Sequence, residues 1–164
     1  GYKFGVGPMV KPGVTPLQRI SDALERDEPE EACGILARYM EDLLQEICHR
    51  FECEVKYNRR NEYTLDTLID RFRVRVKKKL GEDHPLTQAI SELFEKNAYR
   101  NWAIQCKNPE TPIHKNEVQE VLANWTHIES FVTCQEKECL EILKYDSRGF
   151  FACRCGKTKL TRSN

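Results

Sequence analysis

The chain has 164 residues, 26 of them basic and 26 acidic, so its formal net charge at pH 7 is zero. This length suits one domain, or one domain with a small appendage. The balanced charge argues against a general nucleic-acid coat without excluding a local basic face. No apolar run approaches the roughly 20 residues that span a bilayer, and residues 1–8 lack the basic head and apolar stretch of a signal peptide. We therefore expect a soluble, cytoplasmic protein.

Residues 1–14 are rich in Gly and Pro and show no hydrophobic periodicity. The chain also lacks an initiator Met. Both features indicate a fragment of a longer protein whose first 14 residues are a linker or a vector remnant, so regular structure is expected from residue 15 onward.

Five helices are predicted between residues 15 and 132, because apolar residues recur there at intervals of three and four. Thr15 followed by Pro16 marks the start of the first helix, Thr64 caps the third helix, and Gly81 ends it. The predicted ranges are about 16–26, 29–53, 65–80, 85–97 and 115–132. Since these helices carry apolar stripes, we predict a mainly α fold, an antiparallel helical bundle.

Eight cysteines form an even set, as a small disulfide scaffold would have, but such scaffolds are usually shorter and poor in helix. Cys33, Cys48, Cys53 and Cys106 are scattered through or beside the predicted helices, which is typical of buried reduced cysteines. The other four lie close together after residue 133. This clustering points to a metal site.

The C-terminal cysteines form two pairs, which enclose four residues and one residue, and the stretch between the pairs predicts a β-hairpin turning at 146–149. Two thiolate pairs on turns beside a hairpin can close a tetrahedral zinc site, so residues 133–164 are predicted to be a zinc ribbon that depends on its metal to fold. The predicted ligands of this structural zinc are Cys134, Cys139, Cys153 and Cys155. His127 is an alternative ligand, and two disulfides or four unlinked thiols are the alternatives to a metal. A catalytic zinc is disfavoured because four thiolates leave no open position.

Arg100 and Asn101 lie together inside an apolar and aromatic run, just after the fourth predicted helix. A permanent cation in a half-buried surround either pairs with a carboxylate or binds an anion such as a phosphate. A structural salt bridge between helices and an anion site are therefore both consistent with this pair.

A helical bundle with an Arg-Asn pair ahead of its last long helix resembles the HEPN family (higher eukaryotes and prokaryotes nucleotide-binding), over about residues 15–132. The acidic position at Glu41 and Asp42 and the start of the next long helix at 63–68 support the resemblance. The family signature is Arg, often followed by a polar residue, and then His after four to six further residues. The resemblance implies a metal-independent endoribonuclease that acts as a toxin or antiviral defence effector. It also implies that this is the C-terminal part of a larger prokaryotic protein with an N-terminal sensor or catalytic domain.

Arg100 and Asn101 match the first two signature positions, but Gln105 stands where the family has His. In the family, His works with Arg at a composite site across a homodimer and promotes attack of the ribose 2′-hydroxyl on the adjacent phosphate. The resemblance therefore assigns Arg100 to stabilise the scissile phosphate and Asn101 to orient it. Gln105 forms hydrogen bonds but has no pKa near neutrality, so it leaves this catalytic site weakened.

Three interpretations of Gln105 remain open. It is natural in a non-catalytic dimerisation and RNA- or partner-binding module, it is an introduced inactivating change, or another group such as His114 replaces the missing His. His114 lies where an N-cap is expected, with Glu117 three residues later as in a capping box, and the simpler role for it is to cap the helix or to lie in solvent. His49 and His84 are interpreted as surface residues.

Residues 56–79 contain nine basic and three acidic residues. This excess predicts either a solvated helix face or a track for an RNA backbone, with Tyr57 and Tyr63 available for base stacking. The RNA-binding candidates in and beside the third predicted helix are Arg59, Arg60, Arg73, Arg75 and Lys77.

Overall fold

We describe residues 13–60, 62–96 and 112–163 of a computed structural model of this chain. They form five helices followed by a small antiparallel sheet, so the predictions of a mainly helical fold and of a C-terminal hairpin are confirmed. The helices are α1 (Pro16–Glu25), α2 (Pro29–Arg50), α3 (Leu65–Leu80), α4 (Pro85–Lys96) and α5 (Lys115–Val132). The strands are β1 (Lys144–Asp146), β2 (Phe150–Ala152) and β3 (Lys159–Leu160).

Helix boundaries follow local signals in the sequence. The Thr15 hydroxyl accepts a hydrogen bond from the backbone N–H of Gln18 at 3.1 Å, and the Thr64 hydroxyl accepts one from Thr67 at 3.2 Å. Both caps satisfy N–H groups that have no partner within the helix, as predicted. Gly81 follows α3 with a φ of 94°, a conformation that favours glycine, so the predicted stop is confirmed as well.

Two interpretations from the sequence change in the structure, and of the two simple roles of His114 the exposed one is found. α2 ends at Arg50, not near residue 53, because Glu52 adopts a left-handed φ of 54° and turns the chain. His84 is only 4% exposed, so the interpretation of this residue as a surface group is wrong. Its Nδ1 accepts a hydrogen bond from the backbone N–H of Leu86 at 3.1 Å, which caps the start of α4. His114 occupies the N-cap position of α5, but its side chain makes no capping hydrogen bond.

The helices share one apolar core, and α2 lies at its centre. Each of α1 to α4 packs on the described helix that follows it, and α5 packs on both α4 and α2. The buried residues of α2 recur at intervals of one to four positions and are Ala32, Cys33, Leu36, Met40, Leu44, Ile47 and Cys48. Burial of one large aliphatic side chain contributes about 1.5–3 kcal/mol, so this stripe accounts for much of the stability of the bundle. None of the five described helices combines the length and the apolar composition that crossing a bilayer requires.

Phe51, just after α2, connects the helices to the sheet. Its ring stacks on Phe151 of β2 with centroids 4.1 Å apart and meets Phe72 of α3 edge-on at 5.6 Å. The neighbouring Arg50 guanidinium donates a hydrogen bond to the carbonyl of Ile142 at 3.0 Å. The sheet therefore packs directly on the bundle and extends its core.

The sheet has the strand order β1-β2-β3, and its third strand was not predicted. Tyr145 of β1 pairs with Phe151, which in turn pairs with Leu160 of β3. Residues directly opposite each other project to the same side, so these three face the helices. Lys144, Ala152 and Lys159 form the adjacent row and therefore lie on the outer face.

Tyr39 of α2 and Glu129 of α5 form a partly buried hydrogen bond, in which the hydroxyl donates to Oε1 at 2.7 Å. Burial and the carboxylate together raise the pKa of Tyr39 well above its ordinary value. The second oxygen, Oε2, is buried and has no hydrogen-bond partner among the described residues. Tyr39→Phe therefore leaves a half-buried carboxylate without this donor, and we expect the free energy of unfolding to fall by about 1–3 kcal/mol in a urea titration.

Tyr63→Phe is the matched control for that measurement. Among the described residues, the Tyr63 hydroxyl accepts one hydrogen bond, from the exposed backbone N–H of Asn58 at 3.3 Å. Its removal is expected to change the free energy of unfolding by less than about 0.5 kcal/mol. If the free energy of unfolding falls equally in the two variants, the partial burial of the Tyr39–Glu129 hydrogen bond does not increase its contribution to stability.

Candidate metal centre

The register of the sheet brings the two cysteine pairs to the same end. Lys144 at the start of β1 lies opposite Ala152 at the end of β2. In an antiparallel pair, the chain entering one strand runs beside the chain leaving the other. The loop that holds Cys134 and Cys139 precedes β1, and Cys153 follows β2 immediately, so the pairing places the two loops side by side.

The first loop is held by backbone hydrogen bonds between the end of α5 and the start of the sheet. The Cys134 N–H donates to the carbonyl of Glu141 at 2.8 Å, and the Leu143 N–H donates to that of Val132 at 2.8 Å. Inside the loop, the Cys139 N–H donates to the carbonyl of Glu136 at 2.9 Å. These bonds position both thiols on one short, closed turn.

The second loop connects β2 to β3 and contains the other two cysteines. The Gly156 N–H donates to the carbonyl of Cys153 at 2.9 Å, and Gly156 has a φ of 76°, which favours glycine. The Cys153 N–H donates to the carbonyl of Thr158 at 3.0 Å. The Lys157 ammonium reaches across to a carboxylate oxygen of Glu136 at 3.3 Å and so joins the two loops.

The four Sγ atoms of Cys134, Cys139, Cys153 and Cys155 all lie within 4.8 Å of one another. A tetrahedral zinc ion with bonds of about 2.3 Å separates its sulfur ligands by about 3.8 Å. The Cys134 and Cys155 sulfurs are 3.6 Å apart, close to that spacing, whereas the Cys139 and Cys153 sulfurs are 2.9 Å apart and must separate slightly to share a metal. This arrangement brings together all four predicted ligands and fits a tetrahedral metal ion.

The thiols differ in acidity because their surroundings differ. The Thr158 hydroxyl lies 3.3 Å from Cys134 Sγ, and its hydrogen bond, with a further one from the backbone of Glu136, lowers the pKa of Cys134 to about 7. The hydrogen bond with Cys139, together with burial, raises the pKa of Cys153 to about 12. One thiolate is therefore available near neutral pH while Cys153 keeps its proton. A bound divalent cation would favour the thiolate form of all four cysteines, including Cys153.

Burial closes the site on the core side and leaves one edge open to solvent. Cys134 is fully buried and Cys153 is 5% exposed, whereas Cys139 is half-buried and Cys155 is exposed. None of the four clustered cysteines is joined by a disulfide in this structure. Four sulfur ligands occupy every position of a tetrahedral ion, which suits a structural metal.

Thr158 is a residue of this centre that the sequence analysis missed. Groups that hydrogen-bond to metal ligands typically change metal affinity by about 10- to 100-fold. We expect Thr158→Val to weaken zinc binding by this factor, measured by competition with a chromophoric chelator. Thr158→Ser keeps the hydroxyl and should bind zinc almost as the unsubstituted chain does. Equal zinc affinities for the Val and Ser variants would show that the Thr158 hydroxyl does not contribute to metal binding.

The predicted catalytic residues Arg100, Asn101 and Gln105 lie outside the described residues, as does Cys106. Their assignment remains a prediction from the sequence and from the family resemblance. His127, the alternative zinc ligand, lies on α5, where its ring packs edge-on against Phe131 with centroids 5.0 Å apart. It is not part of the four-thiol group.

Two of the predicted RNA-binding arginines are partly buried and contact other side chains of the protein. Arg73 donates to the Asp70 carboxylate at 2.9 Å and lies over the Phe94 ring, 4.4 Å from its centroid. Arg75 has 12% of its side chain exposed, and its guanidinium lies over the Tyr145 ring at 4.5 Å. These contacts tie α3 to its neighbours.

The other three predicted RNA-binding residues lie at the surface. Arg59 and Arg60 are exposed on the loop before α3. Lys77, near the end of α3, forms an exposed ion pair with Glu82 at 3.0 Å. The contacts described for Arg73, Arg75 and Lys77 are made with other residues, so these contacts do not gather the five candidates into one site.

Comparison of the chain with protein-family models, with curated proteins and with solved structures finds no match in any of the three. The described residues are mainly helical, and they include four cysteines whose sulfur atoms are close enough together to bind one metal ion. Any assignment of function depends on the residues and their geometry.

Proposed function

We propose that this chain is an RNA-acting domain of the HEPN type whose C-terminal sheet is organised by a structural zinc ion. The zinc part is carried by one observation, the four sulfur atoms that lie within 4.8 Å of one another. Thiolate ligands in a tetrahedral set select zinc over calcium or magnesium, which prefer oxygen. When bound, the zinc supplies folding free energy to a unit too small to fold without it.

Elemental analysis tests the metal directly. We propose one zinc ion per chain in protein purified without chelators, bound by Cys134, Cys139, Cys153 and Cys155. Because the ligand set is closed, the ion takes no part in RNA chemistry. Freshly purified protein with no bound metal would contradict the zinc assignment.

The RNA part of the proposal is supported by the HEPN resemblance of residues 100–105 and by the basic residues of the chain. Arg100 would stabilise the scissile phosphate and Asn101 would orient it, while the ribose 2′-hydroxyl attacks. Position 105 is where a proton-transfer group is needed, and Gln105 does not provide one. We propose that the active form is a homodimer with both Arg100 side chains facing one cleft. We also propose that the chain serves as the effector part of a larger prokaryotic toxin or antiviral defence protein.

The second candidate function is a catalytically silent dimerisation and RNA- or partner-binding module. Gln105 itself favours it, because loss of a proton-transfer group typically costs about a hundred- to ten-thousandfold in rate. Incubation of a mixed RNA pool with the unsubstituted chain and with the Gln105→His variant separates the two candidates. Cleavage that appears only with the variant supports an inactivated nuclease, and no cleavage with either protein supports the binding module. Light scattering at tens of micromolar protein checks the dimer.

A further inference from the structure

Two basic stretches that are far apart in the sequence meet in the structure. Residues 71–81 contain six basic residues and no acidic one, and residues 142–163 contain six basic residues and one acidic one. The Arg162 guanidinium donates to the carbonyls of Lys79 at 3.1 Å and Lys78 at 3.3 Å, at the end of α3. The Lys79 ammonium also lies 4.9 Å from the centroid of the Tyr145 ring in β1. These contacts place the end of α3 on the inner face of the sheet, which carries Tyr145, so the basic residues of the outer face form a surface of their own.

The outer face of the sheet forms this surface. Lys144, Ala152 and Lys159 lie in one row across the three strands, with both lysines exposed. Phe150 is in the next row on the same face and is half-buried. Because the side chain of Ala152 is small, it leaves a shallow gap between the two lysine side chains, and the Phe150 ring lies beside this gap.

Cations surround the Phe150 ring. The Arg148 guanidinium lies 5.0 Å from the ring centroid and the Lys159 ammonium lies 5.2 Å from it. Exposed cation–π contacts are weak, so both long side chains can move from the ring to a phosphate while a base takes their place. Arg148 also forms an ion pair with Asp146 at 3.1 Å, so this acidic residue of the face is paired in the absence of RNA.

A shallow depression of about 380 Å³ continues the same face beside β1 and β2. Its lining includes the basic side chains of Arg50, Lys144 and Arg154, together with Glu141. Basic groups along a groove, with aromatic rings between them, are the combination that binds a single strand of nucleic acid. Phe150 gives a base a ring to stack on, whereas the carboxylates of an acidic protein segment would need only the charges.

We propose that the outer face of the three-stranded sheet binds single-stranded RNA. A base stacks on Phe150, and Lys144, Lys159 and Arg148 contact the phosphates on either side. This proposal rests on the RNA-acting function proposed above and assigns it a place that the sequence analysis did not. The zinc ion then has a functional consequence, since it holds the strands that carry these side chains.

The test uses the zinc-loaded chain and a fluorescent oligouridylate of about 12 nucleotides, a length within the range that small single-strand-binding folds cover. Lys144→Gln combined with Lys159→Gln removes two phosphate contacts. At about 0.7 per contact, the slope of log affinity against log salt should fall by about 1.4. Phe150→Leu keeps the apolar volume and removes the stacking surface, so affinity should fall at least about fivefold with the slope unchanged.

Arg19→Gln combined with Arg38→Gln is the matched control, because it removes the same charge from exposed positions in α1 and α2. It should leave the salt slope nearly unchanged. Zinc content and circular dichroism establish that each variant is folded, and the lysine variant tests the proposal even if Phe150→Leu does not fold.

Three outcomes would overturn the proposal. If the unsubstituted chain binds RNA and the lysine variant binds it with the same affinity and slope, this surface is wrong while the RNA-acting function stands. If the unsubstituted chain binds no RNA, both proposals fail. Tighter binding of double-stranded RNA, of DNA of the same length or of an acidic peptide would overturn the assignment of single-stranded RNA to this face.

Discussion

We expect that removal of the proposed zinc ion from the purified chain unfolds the three-stranded sheet and leaves the helical bundle largely intact. The strands are three, three and two residues long, so the sheet has few ladder hydrogen bonds of its own. Structural zinc in small peptides contributes about 10–16 kcal/mol at pH 7, which exceeds what the burial of Phe151 and Leu160 can supply. We expect amide hydrogens of residues 133–163 to exchange freely after chelation, while those of α2 remain protected.

The same prediction extends to single cysteine variants. Cys139→Ser removes a half-buried ligand and should abolish stoichiometric zinc binding together with the protection of the sheet. Cys53→Ser, also at a half-buried cysteine but outside the four-thiol group, should bind one zinc ion as the unsubstituted chain does. A sheet that stays protected in metal-free protein would show that packing of Phe51 on Phe151 suffices to hold it.

Gln105→His is expected to raise the rate of RNA cleavage by about a hundred- to ten-thousandfold, the usual contribution of a positioned acid or base. The HEPN-type proposal assigns Arg100 and position 105 to one phosphate. Arg100 supplies charge stabilisation whatever residue stands at 105, and Arg100→Ala should therefore abolish the cleavage that is seen. The rates are measured on a labelled RNA pool by gel electrophoresis.

The controls for this prediction separate chemistry from folding. Gln105→Asn keeps an amide at the position and should give no gain. Cleavage by the Gln105→His variant should need no added divalent metal and should persist in EDTA for the time of the assay, because the zinc is proposed to be structural. A variant that is folded, dimeric and inert on every RNA tried would end the nuclease proposal and leave the binding module.

The helical part of the fold could be predicted because its signals are local. Thr15, Thr64 and Gly81 each act on N–H or carbonyl groups within a few residues, and the apolar stripe of α2 is readable from its spacing alone. The four clustered thiols were also predictable, since their pairing around a hairpin depends on short spacings. β3 was missed because two residues are too few to show a strand pattern.

The sequence by itself thus determined the five described helices, the hairpin and the identity of the four clustered thiols. Only the tertiary structure decided that His84 is buried, that Arg75 lies against Tyr145, and that Arg162 after β3 contacts the end of α3. The contacts of α3 with the sheet join residues that are distant in the sequence, where no periodicity or capping rule applies. They depend on how Phe51 packs between α3 and β2, and packing of this kind is a property of the whole core.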